Sequence, residues 1–180
     1  MSRHGPFIRR IHERAKNGEL TIGICRKESE MTATSTNTNE EAAIRSVIDT
    51  WASAMRSKDA DGVVSQYAAD NVKFILAPPL QYTKDHPFDK KSLQEWFSSF
   101  QGPIDYENRD LDITAGNDVA FCHSLNRMMA TTAKGEKVDL WFRETLGFRK
   151  IAGQWKITHE HSSVPFYMDG SFKAAVDLKP

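Results

Sequence analysis

Apolar and polar positions alternate along this chain with two different periods. From Asn39 to about Ser57, Ala43, Ile44, Val47, Ile48, Trp51, Ala54 and Met55 recur at three- and four-residue spacing, the stripe of an amphipathic helix. Asn39 offers a capping side chain, and Glu40 and Glu41 place acids in the first turn, where the helix dipole favours them. Asp59 or Asp61 caps a short second helix through Val63, Val64 and Tyr67. Val72 to Leu76 reads as a short strand stopped by Ala77-Pro78-Pro79, and Tyr82 to Pro87 as a loop. A third helix, Lys90 to Phe100, carries Leu93, Trp96, Phe97 and Phe100 on one side and ends at Gly102-Pro103.

Beyond that point the period is two. Ile104 to Ala115 and Asp118 to Thr132 are strands, turned at Gly116-Asn117-Asp118 and at Lys134-Gly135. Glu136 to Phe166 then holds two more strands joined at Ala152-Gly153. On the first, Val138, Leu140, Phe142, Glu144, Leu146 and Phe148 share a face, opposite Asp139, Trp141, Arg143, Thr145 and Arg149. On the second, strict alternation puts Trp155, Ile157, His159, His161 and Ser163 together, opposite Lys156, Thr158, Glu160 and Ser162. Helices first and an antiparallel meander afterwards is an α+β layout, one curved sheet wrapping a helical layer. The expected division is a non-domain leader and polar linker at residues 1–38 and one domain at 39–180.

Charge and composition exclude more than they identify. The 24 basic and 24 acidic residues cancel, so no global field favours nucleic acid or an anionic membrane. No apolar run approaches the roughly 20 residues that span a bilayer. Cys25 lies in the polar leader and Cys122 in mid-strand, which argues against a disulfide and for a reduced, cytoplasmic protein. The basic leader lacks the apolar core of a secretory signal. Lys27-Glu28 can be encoded AAG-GAG, a ribosome-binding sequence just upstream of Met31. Residues 1–30 are therefore expected to be a mis-assigned upstream extension, loosely attached, followed by a polar linker over Met31 to Asn39. Codons other than AAG-GAG would remove that expectation.

Candidate chemistry collects on the last two strands. A carboxylate on an apolar strand face is costly when ionised, so Glu144 is expected in a pocket with a raised pKa, unless a bulge or an ion pair with Arg127 accounts for it. His159 and His161 stand two apart, with rings about 6–7 Å apart along the strand. They suit a general base oriented by Glu144, a ligand contact, or a pair of core histidines. As metal ligands they would need a third from Glu144 or His123, and no spacing supplies one, so no metal is expected. His123, Trp51, Tyr67, Phe74, Tyr82 and Trp96 are the candidate ligand-binding residues, with Phe97 as wall or core and Phe166-Tyr167-Met168 as cover over the pocket mouth. No phosphate loop, C-x-x-C pair, nucleophile elbow or H-E-x-x-H occurs.

The segments SKDADGVVSQYAADNV, LAPPLQY, EWFSSFQGPIDYE, DVAFCHSLNRM and FRKIAGQWKITHEHSSVPF, with the tail AAVDLKP, resemble a SnoaL-like member of the nuclear-transport-factor-2-like (ketosteroid-isomerase-like) superfamily. The likeness covers about Glu40 to Pro180, with Gly153 to Ser163 its most specific part. It implies a cone-shaped fold with a deep apolar pocket, and a homodimer through the outer sheet face, where Trp141 and Arg143 have interface composition. The steroid isomerases' base position falls at Ile75 or Leu76, which cannot take a proton, their tyrosine near Trp51, and their second acid at or beside Glu144. The expected function is acid–base isomerisation, cyclisation or elimination without a cofactor on an apolar, carbonyl-bearing small molecule. His161, Glu144 and His159 are the expected catalytic residues. A non-catalytic ligand-binding or scaffold module and a metal-assisted enzyme using His159 and His161 remain the alternatives.

Overall fold

The computed structural model describes residues 25–180, with side chains from Thr38 onward. Helix α1 (Cys25–Ser57) and the short α2 (Ala60–Val64) precede strand β1 (Tyr67–Phe74) and helix α3 (Lys90–Ser98). Four longer strands follow: β2 (Phe100–Ala115), β3 (Val119–Thr132), β4 (Lys137–Ile151) and β5 (Gln154–Ser163). They form one sheet in the order β1-β5-β4-β3-β2, antiparallel except where β1 runs parallel to β5. The α+β architecture is as expected, with β1 beginning at Tyr67 rather than Val72. Among the described residues no helix is long and apolar enough to cross a membrane.

Local chemistry explains most element ends. Asp59 caps α2 by accepting from the Gly62 amide at 3.0 Å, and Asp89 caps α3 by accepting from the Ser92 amide at 2.9 Å. Ala152 and Gly153 both have positive φ, 49° and 80°, as a two-residue type I′ hairpin between Ile151 and Gln154 requires. The start of α1 differs from expectation. The helix does not begin at Asn39 but runs on from Cys25, so the proposed linker over Met31–Asn39 is helical. No glycine or proline lies between Cys25 and Ser57 to interrupt it, and a capping residue alone does not stop a helix. The leader before Cys25 lies outside the described residues.

The concave face of the sheet closes on α1. Ile44, Ile48 and Trp51 are buried in one cluster with Ile104, Leu146, Phe148 and Ile157. Glu40 pins the β4–β5 hairpin to that helix, accepting from Lys150 Nζ and Trp155 Nε1, each at 2.6 Å. On the convex face Trp141 is only 9% exposed, because the Arg109 guanidinium stacks 4.4 Å from its ring centroid. The aromatic on which the dimer expectation rested is thus already covered within a single chain.

The decisive departure from simple alternation is in β5. Phe148 pairs with Ile157, but the next residue of β4, Gly147, pairs with His159, leaving Thr158 as an extra residue. This bulge shifts the phase of the strand by one. Trp155 and Ile157 face inward before it, and Glu160 and Ser162 face inward after it, all four buried. His159 and His161 therefore lie on the outer face, contrary to expectation.

Candidate active site

Between the sheet and the helices lies a cavity of about 300 Å³. Its wall is apolar, with aliphatic side chains and seven aromatic rings: Trp51 from α1, Tyr67 from β1, Tyr82 and Phe88 from the loop before α3, Trp96 from α3, and Tyr106 and Phe142 from the sheet. Polar groups converge on its sheet side, where Lys73, Glu144, Glu160 and Ser162 reach it.

Glu144 is 3% exposed and held by a buried amide. Asn126, completely buried, donates through Nδ2 to Glu144 Oε2 and to Tyr106 Oη, while its Oδ1 accepts from Ser124 Oγ at 2.8 Å and Asn108 Nδ2 at 3.0 Å. All four bonding positions of the amide are filled, which fixes its orientation. Oε2 of Glu144 accepts from Asn126, so a proton on this carboxyl belongs on Oε1, where Ser162 Oγ is 3.4 Å away. Burial, then the nearby Glu160 charge, raises the Glu144 pKa from 4.5 to about 8, against the opposing pull of Asn126, Ser162 and Lys73. At neutral pH this group is chiefly a carboxylic acid.

Glu160 has a different setting. Tyr67 Oη donates to its Oε2 at 2.7 Å, and Lys73 Nζ stands 3.7 Å from the same oxygen. Burial pushes the Tyr67 phenol well above its ordinary range, with the Glu160 charge adding to it, so Tyr67 keeps its proton as donor. Leu146 is the cross-strand partner of Glu160, and Ser162 that of Glu144. The two acids are thus diagonal neighbours on one face, with Cα atoms about 7–8 Å apart by sheet geometry. The indole N–H of Trp51 is buried without a hydrogen-bond partner among the described residues.

A model of the SnoaL-like domain matches residues 44–167. The chain belongs to the SnoaL-like family. Among solved structures, this SnoaL-like chain is similar to an NTF2-like protein of unknown function from Pseudomonas putida KT2440. They share 35% identity over 79% of this chain and 98% of that one, with a TM-score of 0.70. A protein provisionally named scytalone dehydratase from Novosphingobium aromaticivorans DSM 12444 has 22% identity over 79% of this chain and 95% of that one, TM-score 0.65. A ketosteroid isomerase-like protein from Erwinia carotovora atroseptica SCRI1043 has 23% identity over 68% and 93%, TM-score 0.55. These last two likenesses show the shared fold. No curated protein matches the chain.

Of the residues expected at the site of this SnoaL-like chain, Glu144, Trp51, Tyr67, Tyr82 and Trp96 do line the cavity. His159, His161 and Phe74 do not. Val72 pairs with His159 and Phe74 with His161, and the Phe74 ring packs edge-on against both imidazoles at 5.2 and 5.8 Å on the outer face. Glu144, on the opposite face, can neither orient those histidines nor complete a metal site with them. His123 is also an exposed outer-face residue, opposite Thr145. Nor does Phe166-Tyr167-Met168 cover the mouth. Tyr167 Oη donates to Asp177, and Phe166 and Met168 are exposed. Ile75 and Leu76 do line the cavity, as apolar wall. Of His123 and Asn126, which alternation puts on opposite faces of one strand, it is Asn126 that reaches the site, through Glu144; the alternation rule missed Glu160, Lys73, Tyr106 and Ser162. One sequence signal was available: Gly147 in the interior of a strand marks the position opposite a bulge.

The raised Glu144 pKa predicts a pH signature in stability. The folded chain keeps the proton up to about pH 8, whereas the unfolded chain releases it near 4.5. Over that window the unfolded state binds fewer protons, so stability falls as pH rises, by up to about 1.4 kcal/mol per pH unit. Glu144→Gln, which can still accept from Asn126, is expected to flatten this slope. Urea titrations at pH 5, 6, 7 and 8 measure it, and an unchanged slope in the variant would contradict a buried neutral acid.

Proposed function

We propose that this SnoaL-like protein is an acid–base isomerase or lyase acting on an apolar, carbonyl-bearing small molecule, with its own carboxyls moving the proton. The observation that carries this reading is the pair of buried acids on one cavity face in unlike settings, Glu144 positioned by an amide and kept neutral by burial and the nearby Glu160 charge, and Glu160 paired with a lysine and a tyrosine. A neutral acid and an ion-paired carboxyl side by side suit the two halves of an acid–base step.

In this reading the substrate's apolar body lies against the aromatic wall, and its carbonyl oxygen approaches Oε1 of Glu144. Glu160 removes a proton from the carbon α to the carbonyl, while Glu144 donates to the developing enolate oxygen. The Trp51 indole, which points toward the Tyr67 phenol without a geometric hydrogen bond, offers a further donor at the cavity. Where the substrate carries a β,γ double bond, Glu160 returns the proton at the γ carbon as Glu144 takes back the proton on oxygen, and the double bond moves into conjugation with the carbonyl. Where a β-hydroxyl is present, its loss with a proton gives elimination of water. The roles first expected of His161 and His159 pass to Glu160, because only the latter faces the cavity.

The test is proton exchange in deuterated water with a panel of hydrophobic ketones, followed by NMR across pH 5–10. Exchange that is protein-dependent and falls as pH rises through about 8, where Glu144 loses its proton, is the expected result. Ketones that bind without any exchange would favour a ligand-binding module instead.

A further inference from the structure

The acid–base scheme leaves a primary amine in the cavity unused. Lys73 is 7% exposed, lies opposite Glu160 in the β1–β5 ladder and bridges to Tyr82 on its other side, so the backbone on both flanks holds it facing in. Its Nζ sits 3.3 Å from the centroid of the Tyr67 ring. The 3.7 Å separation from Glu160 Oε2 is an ion pair, too long for a direct hydrogen bond. That oxygen already accepts from Tyr67. Neither an aromatic face nor a carboxylate engages the lone pair of a neutral amine. A buried amine ion-paired with a carboxylate, beside an apolar chamber read as a carbonyl site, suits a lysine nucleophile.

We propose that Lys73 captures apolar aldehydes and ketones in this cavity as an imine, with Glu160 as its proton shuttle; this rests on reading the cavity as a carbonyl site. Glu160 accepts a proton from the Lys73 ammonium, and the freed amine lone pair forms a bond to the carbonyl carbon as the C=O π pair moves to oxygen. The resulting carbinolamine takes protons on its oxygen, one from nitrogen and one through Glu160. The C–O bond breaks and water leaves, giving a protonated imine and the Glu160 carboxylate again. The three hydrogens of the ammonium end as two on water and one on the iminium nitrogen. A protonated imine is a stronger electron sink than the parent ketone, so the same Glu160 is then placed to take the α proton. Burial supports the step, since it lowers the Lys73 pKa against the opposing pull of Glu160.

The test treats the full chain with phenylacetone and sodium cyanoborohydride at pH 7 and maps reduced adducts by peptide mass spectrometry. Lys73 is expected to label faster than the exposed Lys91 and Lys134, because burial raises its neutral-amine fraction and the cavity holds the ketone beside it. In Lys73→Arg, checked for folding by its thermal melt, the adduct should vanish while surface labelling persists. Lys73 labelled no faster than Lys91 overturns the imine. Deuterium exchange into phenylacetone, run in parallel on wild type and Glu144→Gln, separates the two ideas. Glu144-dependent exchange without Lys73 labelling overturns the imine and leaves the acid–base reading standing. Absence of both overturns both.

Discussion

Glu160→Gln is expected to slow exchange of the α proton by about 10²- to 10⁴-fold, the usual contribution of a positioned general base. The substitution keeps the size and planarity of the side chain and leaves an oxygen that can still accept from Tyr67 Oη, so the cavity wall is preserved. What it removes is the basic oxygen and the negative charge opposite Lys73. The affinity for ketones, which the aromatic wall provides, should change far less than the rate, placing the loss in kcat rather than KM. Loss of the Glu160 charge also removes one of the causes that raise Glu144, so the fall in residual activity with pH should begin at lower pH in the variant. Single-turnover exchange measured with wild type and variant side by side decides it. A variant within about threefold of wild type would be incompatible with a base, whose removal costs at least two orders of magnitude.

Phe148→Ala is expected to destabilise the fold by about 3–5 kcal/mol, the range for truncating a fully buried phenylalanine. Phe148 is 1% exposed and clusters with Ile44, Ile48 and Ile157 beneath α1. Its cross-strand partner is Ile157, the last regular pair before the bulge. The ring therefore fills the core and also anchors the register that turns Glu160 inward, because a one-residue slip of β5 would carry every side chain of that segment to the other face. Urea unfolding followed by far-ultraviolet circular dichroism gives the magnitude. A loss below about 1 kcal/mol would mean that the helix settles onto the sheet and closes the space, at odds with the tight packing of that cluster.

Much of this molecule is written locally. The 3.6-residue stripe of Ile44, Ile48 and Trp51, the caps at Asp59 and Asp89, the Ala152-Gly153 turn and the inward face of β4 from Val138 to Phe148 all follow from the sequence, because each depends on neighbours in the chain. Glu144 was legible for the same reason, as a lone acid in an unbroken apolar alternation. The beginning of α1 was not, since a good cap does not oblige a helix to start where nothing forbids it from starting earlier.

The identity of the second acid was decided elsewhere. Strict alternation puts His159 and His161 inside and Glu160 outside, and hydrophobicity alone would send Lys73 to solvent with Phe74 facing in. The register between β4 and β5 reverses both assignments. Thr158 bulges opposite Gly147, Glu160 swings into the cavity, and the parallel pairing of β1 brings Lys73 to face it. A buried carboxylate and a buried ammonium each cost several kcal/mol when alone, and only their meeting across two strands distant in sequence makes the arrangement tolerable. The sequence by itself determined the α+β layout, the apolar chamber and one acid on its wall. Which groups complete the site was determined by the pairing of strands, because a bulge of one residue is a property of the register between two strands and not of either pattern read alone.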